Sequence, residues 1–223
     1  MVSDSARAYE NHARQFLNVR DRSMVGIGVI ARWAQSLPAN SDVLEIACGG
    51  GIPVTRTLAL EELKLWAVDS SPTLASEFKA RFPGIPVECA HALESNYFGR
   101  KFRAVISIGL IFLLNKDEQV LLIHRVSEIL LSGGRFLFTA PVEIGVWADL
   151  NTGHKCHSLG RKRYESILRE AQFHILDTYV DEGQNNYYEV ERVYAPQESH
   201  RQGFEGNNPK GGLVYNPPKR RNP

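Results

Sequence analysis

The segment Asp42-Val43-Leu44-Glu45-Ile46-Ala47-Cys48-Gly49-Gly50-Gly51 decides the fold. A short β-rich run, Asp42–Ile46, leads within two residues into three glycines. A helix is predicted to follow over Ile52–Leu60, with Pro53 near its first turn, where a missing N–H does no harm. A strand that ends in a glycine loop and turns into a helix opens a parallel sheet. Ligands of such sheets bind beyond the carboxyl ends of the strands, at the switch point. Glycines there let the backbone turn sharply and let a ligand approach without Cβ atoms in the way.

Outward from this segment the chain alternates. Strands are predicted at Leu63–Val68, Ile85–Cys89, Ala104–Ile108 and Arg135–Thr139. Between them lie a helix over Pro72–Phe82, stopped by Pro83-Gly84, and a long amphipathic helix over Asn115–Leu131. Asn115 and Glu118 have the spacing of a capping box, and Ser132-Gly133-Gly134 closes the helix. This rhythm means a parallel sheet with helices on both faces. Upstream, apolar residues recur at helical spacing over about residues 5–36, and Pro38 and Asn40 end that region. Downstream the rhythm breaks. Residues 141–160 form a long segment with Gly, Trp and His; a helix over Lys162–Ala171 follows, then β-like runs at His174–Val180 and Tyr187–Val193. Residues 181–186 between those runs read as a hairpin loop, which would place an antiparallel strand at one end of the sheet.

Composition narrows the class. With 223 residues, 43% of them hydrophobic, the chain can build a core without disulfides or metal. A formal net charge of +1 argues against a general polyanion binder, so no nucleic-acid partner is expected. Cys48, Cys89 and Cys156 are scattered without a CxxC pair, which reads as reduced thiols in a cytoplasmic protein. The N-terminal residues carry charges where a signal peptide needs an apolar run, and no stretch reaches the length of a membrane span. The final 195–223, rich in Pro, Gly, Asn and basic residues, reads as a disordered basic tail.

The glycine loop alone does not separate dinucleotide sites from others. Reading Gly49-x-Gly51 as the start of GxGxxG puts Val54 where the third glycine belongs. Glu45, four residues before Gly49, is awkward beside a pyrophosphate but suits a ligand whose amino-acid end bears an ammonium. Asp69 ends the second strand, where a carboxylate can accept both ribose hydroxyls.

With these residues in place, VLEIACGGG resembles the first motif of class I S-adenosylmethionine (SAM)-dependent methyltransferases, and AVDSS the second. FRAVISIGLIFLL and LLSGGRFLFTAP resemble the fourth- and fifth-strand segments of that family. The resemblance spans roughly Leu37 to Val193. It implies an α/β, Rossmann-like doubly wound sheet of seven strands with the last antiparallel and helices on both faces. It also implies an N-terminal helical cap over residues 1–40, a SAM-binding domain over 41–194, and SAM as cofactor. By this resemblance Glu45, Ala47, Gly49 and Gly51 line the methionine part of SAM, Ala47 standing where glycine is usual. Asp69 holds the ribose, with Ser70 beside it. Ala90 and His91 lie at the adenine, His91 in place of a usual Asp, and Ile108 and Gly109 lie near the reacting end.

Methyl transfer from a sulfonium mainly requires alignment and exclusion of water. The Asn/Asp-Pro-Pro-Tyr/Phe loop of adenine and amide methylases is missing at Ser107-Ile108-Gly109-Leu110, and neither a Pro-Cys nucleophile nor the acids of metal-dependent enzymes accompany the fourth strand. By elimination the chain resembles methyltransferases acting on O, N or S atoms of small molecules. Such enzymes cover the acceptor with an N-terminal helix, where Tyr9, His12, Arg14 and Arg20 are candidates and Tyr9 is chosen for the SAM carboxylate. They add an insert after the fifth strand; here that insert and the helix after it offer Trp147, Asp149, His154, Cys156, His157 and Tyr164. His154 and His157 are the candidate general bases; His154, Cys156 and His157 lack the spacing of a zinc site, so no metal is expected. Phe112 and Trp147 can present π faces to the sulfonium. The rivals are an NAD(P)-dependent oxidoreductase and a non-catalytic SAM-binding module.

Overall fold

The computed structural model describes residues 4–150 and 152–193; the expected basic tail lies outside the described residues. Helices α1 (Asp4–Arg20) and α2 (Ile27–Gln35) precede an alternating core. That core runs β1 (Asp42–Ile46), α3 (Val54–Leu58), β2 (Lys64–Asp69), α4 (Pro72–Arg81), β3 (Val87–Cys89), β4 (Phe102–Ser107), α5 (Lys116–Ile129) and β5 (Leu130–Thr139). Then come β6 (Ile144–Ala148), β7 (Lys155–Leu159), α6 (Arg161–Glu170), β8 (Phe173–Val180) and β9 (Asn186–Arg192).

Seven strands form one sheet in the order β3-β2-β1-β4-β5-β9-β8. The strands β1 to β5 pair in parallel, and β9 runs antiparallel to both β5 and β8. The hairpin foreseen at the end of the chain forms. Its second strand is inserted between β5 and β8, so β8 takes the edge. Strand order reverses between β1 and β4, which puts a crevice at their carboxyl ends.

Side-chain alternation divides the core between the two faces. Val43, Leu65, Ala104, Ile106 and Leu137 face α2 and α3, meeting Ile30, Trp33 and Leu58. Leu44, Val105, Phe136, Phe138 and Val190 face α5 and α6, meeting Leu122, Val126, Tyr164 and Leu168. The helix α5 starts with the capping box read from the sequence: the Asn115 side chain accepts from Asp117 N and Glu118 N, and Glu118 accepts from Asn115 N.

The N-terminal helical region is broken at residues 21–26. Ser23 Oγ accepts from Val25 N, and Gly26 adopts φ +83°. The Gly26 N–H donates to Glu182 on the β8–β9 loop, and a Cβ on Gly26 would collide with the Tyr187 hydroxyl. A continued helix could not make this close approach.

Residues 141–160 hold a two-stranded antiparallel hairpin, β6–β7, with Trp147 opposite Cys156. Gln119 on α5 fastens it: its amide donates to Leu114 O and His157 O, and it accepts from the Tyr164 hydroxyl, which itself accepts from Leu159 N. Gln119 and Tyr164 are fully buried, and both have partners, so this network fixes the hairpin rather than weakening the core. Among the described residues no helix is long and apolar enough to cross a membrane.

Candidate functional site

A cavity of about 380 Å³ opens at the carboxyl ends of β1, β2 and β4. That size suits a small-molecule site, roughly 300–1,000 Å³. One end is walled by Asp69, Ser70 and Leu74 from the β2–α4 junction and by Ala90, His91 and Ala92 after β3. Its floor is Ala47 and Gly49 after β1, and Ile108 and Gly109 after β4. The far end is formed by Leu110, Phe112 and Leu113, by Asp149 of the β6–β7 loop, and by Asn185 and Tyr187 at the start of β9.

The roof is α1. Ala6, Tyr9, Ala13, Phe16 and Arg20 recur every three or four residues and therefore share a face. Ala6, Tyr9, Phe16 and Arg20 line the cavity, and Ala13 is buried. Phe16 lies against Gly49 and edge-on to Tyr9, with ring centroids 5.5 Å apart. Two polar latches hold α1 along α4. Glu10 accepts from the Ser71 hydroxyl, from Thr73 Oγ1 at 2.7 Å and from Thr73 N at 3.2 Å, the last an orphan donor at the start of α4. At the other end Arg81 forms a two-pronged pair with Asp21, at 2.8 Å for each contact, and a 2.7 Å contact with Glu77.

The glycine loop needs its unusual residues. Gly51 has φ +81°, and a Cβ there would overlap the Phe82 ring. Ala47 is also left-handed, with φ +62°. A non-glycine residue in that region costs roughly 1–2 kcal/mol, only part of which is offset by its lower unfolded entropy. Ala47→Gly is therefore expected to raise stability by about 1 kcal/mol and leave ligand affinity nearly unchanged. A shift of the urea midpoint to lower denaturant would contradict this account of Ala47.

Asp69 is buried and accepts from Gly49 N at 2.8 Å and Ser71 N at 2.9 Å, so it ties the glycine loop to the start of α4. Burial pushes its carboxyl upward, against the pull of those two N–H groups. Glu45 is also buried, and accepts from the Thr55 hydroxyl at 2.5 Å. Burial pushes its ionisation up to about 8, with the Thr55 bond and the Arg20 guanidinium acting in the opposite sense. Arg20 is held below the ordinary guanidinium range by burial, offset by the nearby Tyr187, Glu45 and Asp181. Burial and then the charge of Asp149 push the Tyr9 hydroxyl upward.

The cavity brings together Tyr9, Ala47, Gly49, Asp69, Ser70, Ala90, His91, Ile108 and Gly109 of the residues chosen from the sequence. Glu45 and Gly51 do not line it; they lie beneath and behind the loop that does. Nor does it include His154 or His157. His154 Nε2 sits 3.0 Å from Leu113 O, and His157 offers its carbonyl to Gln119. His91 Nδ1 accepts from Leu93 N at 3.3 Å, which leaves Nε2 to carry the proton. Ser23, Asn185 and Tyr187 were missed. The signal for the last two is topological: a strand antiparallel to its neighbours begins where they end, so its first residues reach the same crevice.

Residues 43–134 match the family described as "Methyltransferase domain". No curated protein sequence matches the chain. Among solved structures, an S-adenosylmethionine-dependent methyltransferase from Clostridium acetobutylicum superposes with a TM-score of 0.65 at 18% identity, covering 83% of this chain and 99% of that one. The Burkholderia thailandensis 1,6-didemethyltoxoflavin-N1-methyltransferase, with 1,6-didemethyltoxoflavin and S-adenosylhomocysteine bound, gives 0.68 at 15% identity, covering 87% and 92%. The [4+2]-cyclase SpnF gives 0.62 at 14%, covering 76% and 81%. Identities this low show a shared fold. Residues 43–134 carry the methyltransferase-domain match, and the seven-stranded sheet has the Rossmann-like fold of the SAM-dependent methyltransferases on which it superposes.

Proposed function

We propose that this protein transfers the methyl group of SAM to a small-molecule acceptor. The observation that carries the reading is the continuity of the cavity. A polar end built on Asp69, Ser70 and His91 leads over Ala47, Gly49 and Gly109 into an apolar end under α1 and the β6–β7 hairpin. The residues fit SAM part by part. Asp69 meets the ribose hydroxyls, with Ser70 beside it, and Ala90 and His91 border the adenine. The protonated Nε2 of His91 suits a ring nitrogen, an acceptor, better than the exocyclic amine. Ile108 and Gly109 border the reacting end. Arg20, with Tyr9 nearby, supplies a cation for the methionyl carboxylate. Glu45 and Gly51 support the loop from behind.

Bound SAM supplies an electrophilic methyl group on a sulfonium. The protein's part is to align the acceptor, exclude water and favour the charge shift. Roofing by α1, latched through Glu10 and Arg81, supports the exclusion of water. A dinucleotide is disfavoured, because α3 has only five residues and begins after Pro53, with buried Val54 in place of the third glycine. Bound 1,6-didemethyltoxoflavin in the Burkholderia enzyme supports a small-molecule acceptor here. The test is calorimetric titration of the protein with SAM, S-adenosylhomocysteine and NAD in parallel. Micromolar binding of the first two and none of NAD is expected; binding of NAD alone would overturn the reading.

A further inference from the structure

We infer that Asp149 selects the acceptor, and that the acceptor is a small molecule with an apolar body and an amine nitrogen as its nucleophile. This rests on the methyltransferase reading above. Asp149 reaches the cavity from the loop at the tip of the β6–β7 hairpin, beside the apolar Leu110, Phe112 and Leu113. It is the one carboxylate lining that end among the described residues; the other carboxylate of the cavity, Asp69, belongs to the opposite end.

The side chain is held in place. Asp149 Oδ1 accepts from Thr152 N at 2.9 Å and from Thr152 Oγ1 at 2.7 Å. Its backbone closes the loop: Asp149 N donates to His154 O at 2.7 Å, and Gly153 N donates to Asp149 O at 2.9 Å. The loop is in turn tied to the cavity wall. His154 Nε2 meets Leu113 O at 3.0 Å, and the Trp147 ring packs on Phe112 with centroids 5.7 Å apart. Tyr9 of α1 also lines the cavity, and the charge of Asp149 acts on its hydroxyl. His154 is thus a positioning residue for this carboxylate.

Charge decides what a carboxylate there favours. An alkyl amine arrives as R–NH3+ and first loses one proton to solvent; the neutral R–NH2 then becomes R–NH2CH3+ when its lone pair forms the new N–C bond and the S–C bonding pair stays on sulfur. Positive charge passes from sulfur to nitrogen, and a fixed anion beside the nitrogen stabilises that charge as it develops. The same anion repels a phenolate, thiolate or carboxylate, the anionic forms in which oxygen and sulfur acceptors react. The ammonium product can then lose its proton to solvent. Ile108, Leu110, Phe112 and Leu113 supply the apolar contact for the rest of the molecule.

The test uses the isosteric probes 2-phenylethylamine and 2-phenylethanol, titrated by NMR into the full chain saturated with S-adenosylhomocysteine, wild type and Asp149→Asn. The wild type is expected to prefer the amine about tenfold, the order of one charge-assisted hydrogen bond. Asp149→Asn should lose the preference while binding S-adenosylhomocysteine as before. The inference is overturned if the wild type binds neither probe, binds the alcohol equally well, or if the preference survives Asp149→Asn. Failure of S-adenosylhomocysteine to bind the wild type would instead remove the methyltransferase reading on which the inference stands.

Discussion

Asp69→Ala is expected to weaken binding of SAM and S-adenosylhomocysteine about 100-fold, the largest loss from any single side chain of the site. A hydrogen bond to a charged group contributes roughly 1.5–3 kcal/mol, so losing two ribose hydroxyl bonds to one carboxylate amounts to about 3 kcal/mol or more. The loss has a second source in the fold. Asp69 joins Gly49 N to Ser71 N across the mouth of β1 and β2. Without it both N–H groups lose their partner, and the glycine loop is no longer tied to the start of α4. Calorimetric titration gives the affinity, and thermal melting separates local loosening from unfolding. An Asp69→Ala protein that melts as a folded chain and binds SAM with unchanged affinity would remove Asp69 from the ribose.

That prediction rests on residues legible in the sequence, and the reason they were legible is local. β1, its glycines, β2 and Asp69 are set by short-range rules: a β-rich run, a turn that tolerates positive φ, a carboxylate at a strand end. The capping box at Asn115 and Glu118 is local too. What the sequence concealed depends on distant partners. Ile144 and Val146 of β6 are exposed, so β6 shows no buried face to betray its period, and the buried residues of β7, Cys156 and Ser158, are small; pairing between the two strands and the Gln119–Tyr164 network make the hairpin. The break between α1 and α2 escapes notice because Leu17, Met24 and Ile27 keep a helical spacing, although Met24 is exposed. Gly26 is left-handed there because Glu182 and Tyr187 approach it from more than 150 residues away in the chain. The site divides in the same way. Its cofactor end follows the motif, whereas the placement of Asp149 in the cavity, and of His154 and His157 outside it, follows from how the insert docks, and that of Asn185 and Tyr187 from the antiparallel course of β9.

Glu45→Gln is expected to make the protein more stable than wild type at pH 8 and nearly equal to it at pH 4. Glu45 is buried, and burial raises its ionisation from the ordinary 4.5 to about 8. Between those values the folded chain keeps a proton that the unfolded chain has released. Stability therefore falls as pH rises, by about 1.4 kcal/mol per pH unit, and the loss reaches several kcal/mol by pH 8. Glutamine has no charge to desolvate and keeps an acceptor for the Thr55 hydroxyl. Urea unfolding of both proteins from pH 4 to 8.5 should give a stability difference that is flat near pH 4, grows through the window and levels off above 8. A difference independent of pH would mean that Glu45 is already ionised in the folded chain. The same proton bears on the cofactor. Glu45 lies behind the glycine loop, outside the cavity lining, and acts on the methionyl ammonium only across that loop; an ammonium close enough to favour its ionised form makes SAM binding at pH 7 release a proton. Titrations in two buffers of different ionisation enthalpy would detect that release in the wild type and its loss in Glu45→Gln. If the wild type releases none, the methionyl ammonium is met elsewhere, and Glu45 serves the site only by holding α3 against the floor of the glycine loop through Thr55.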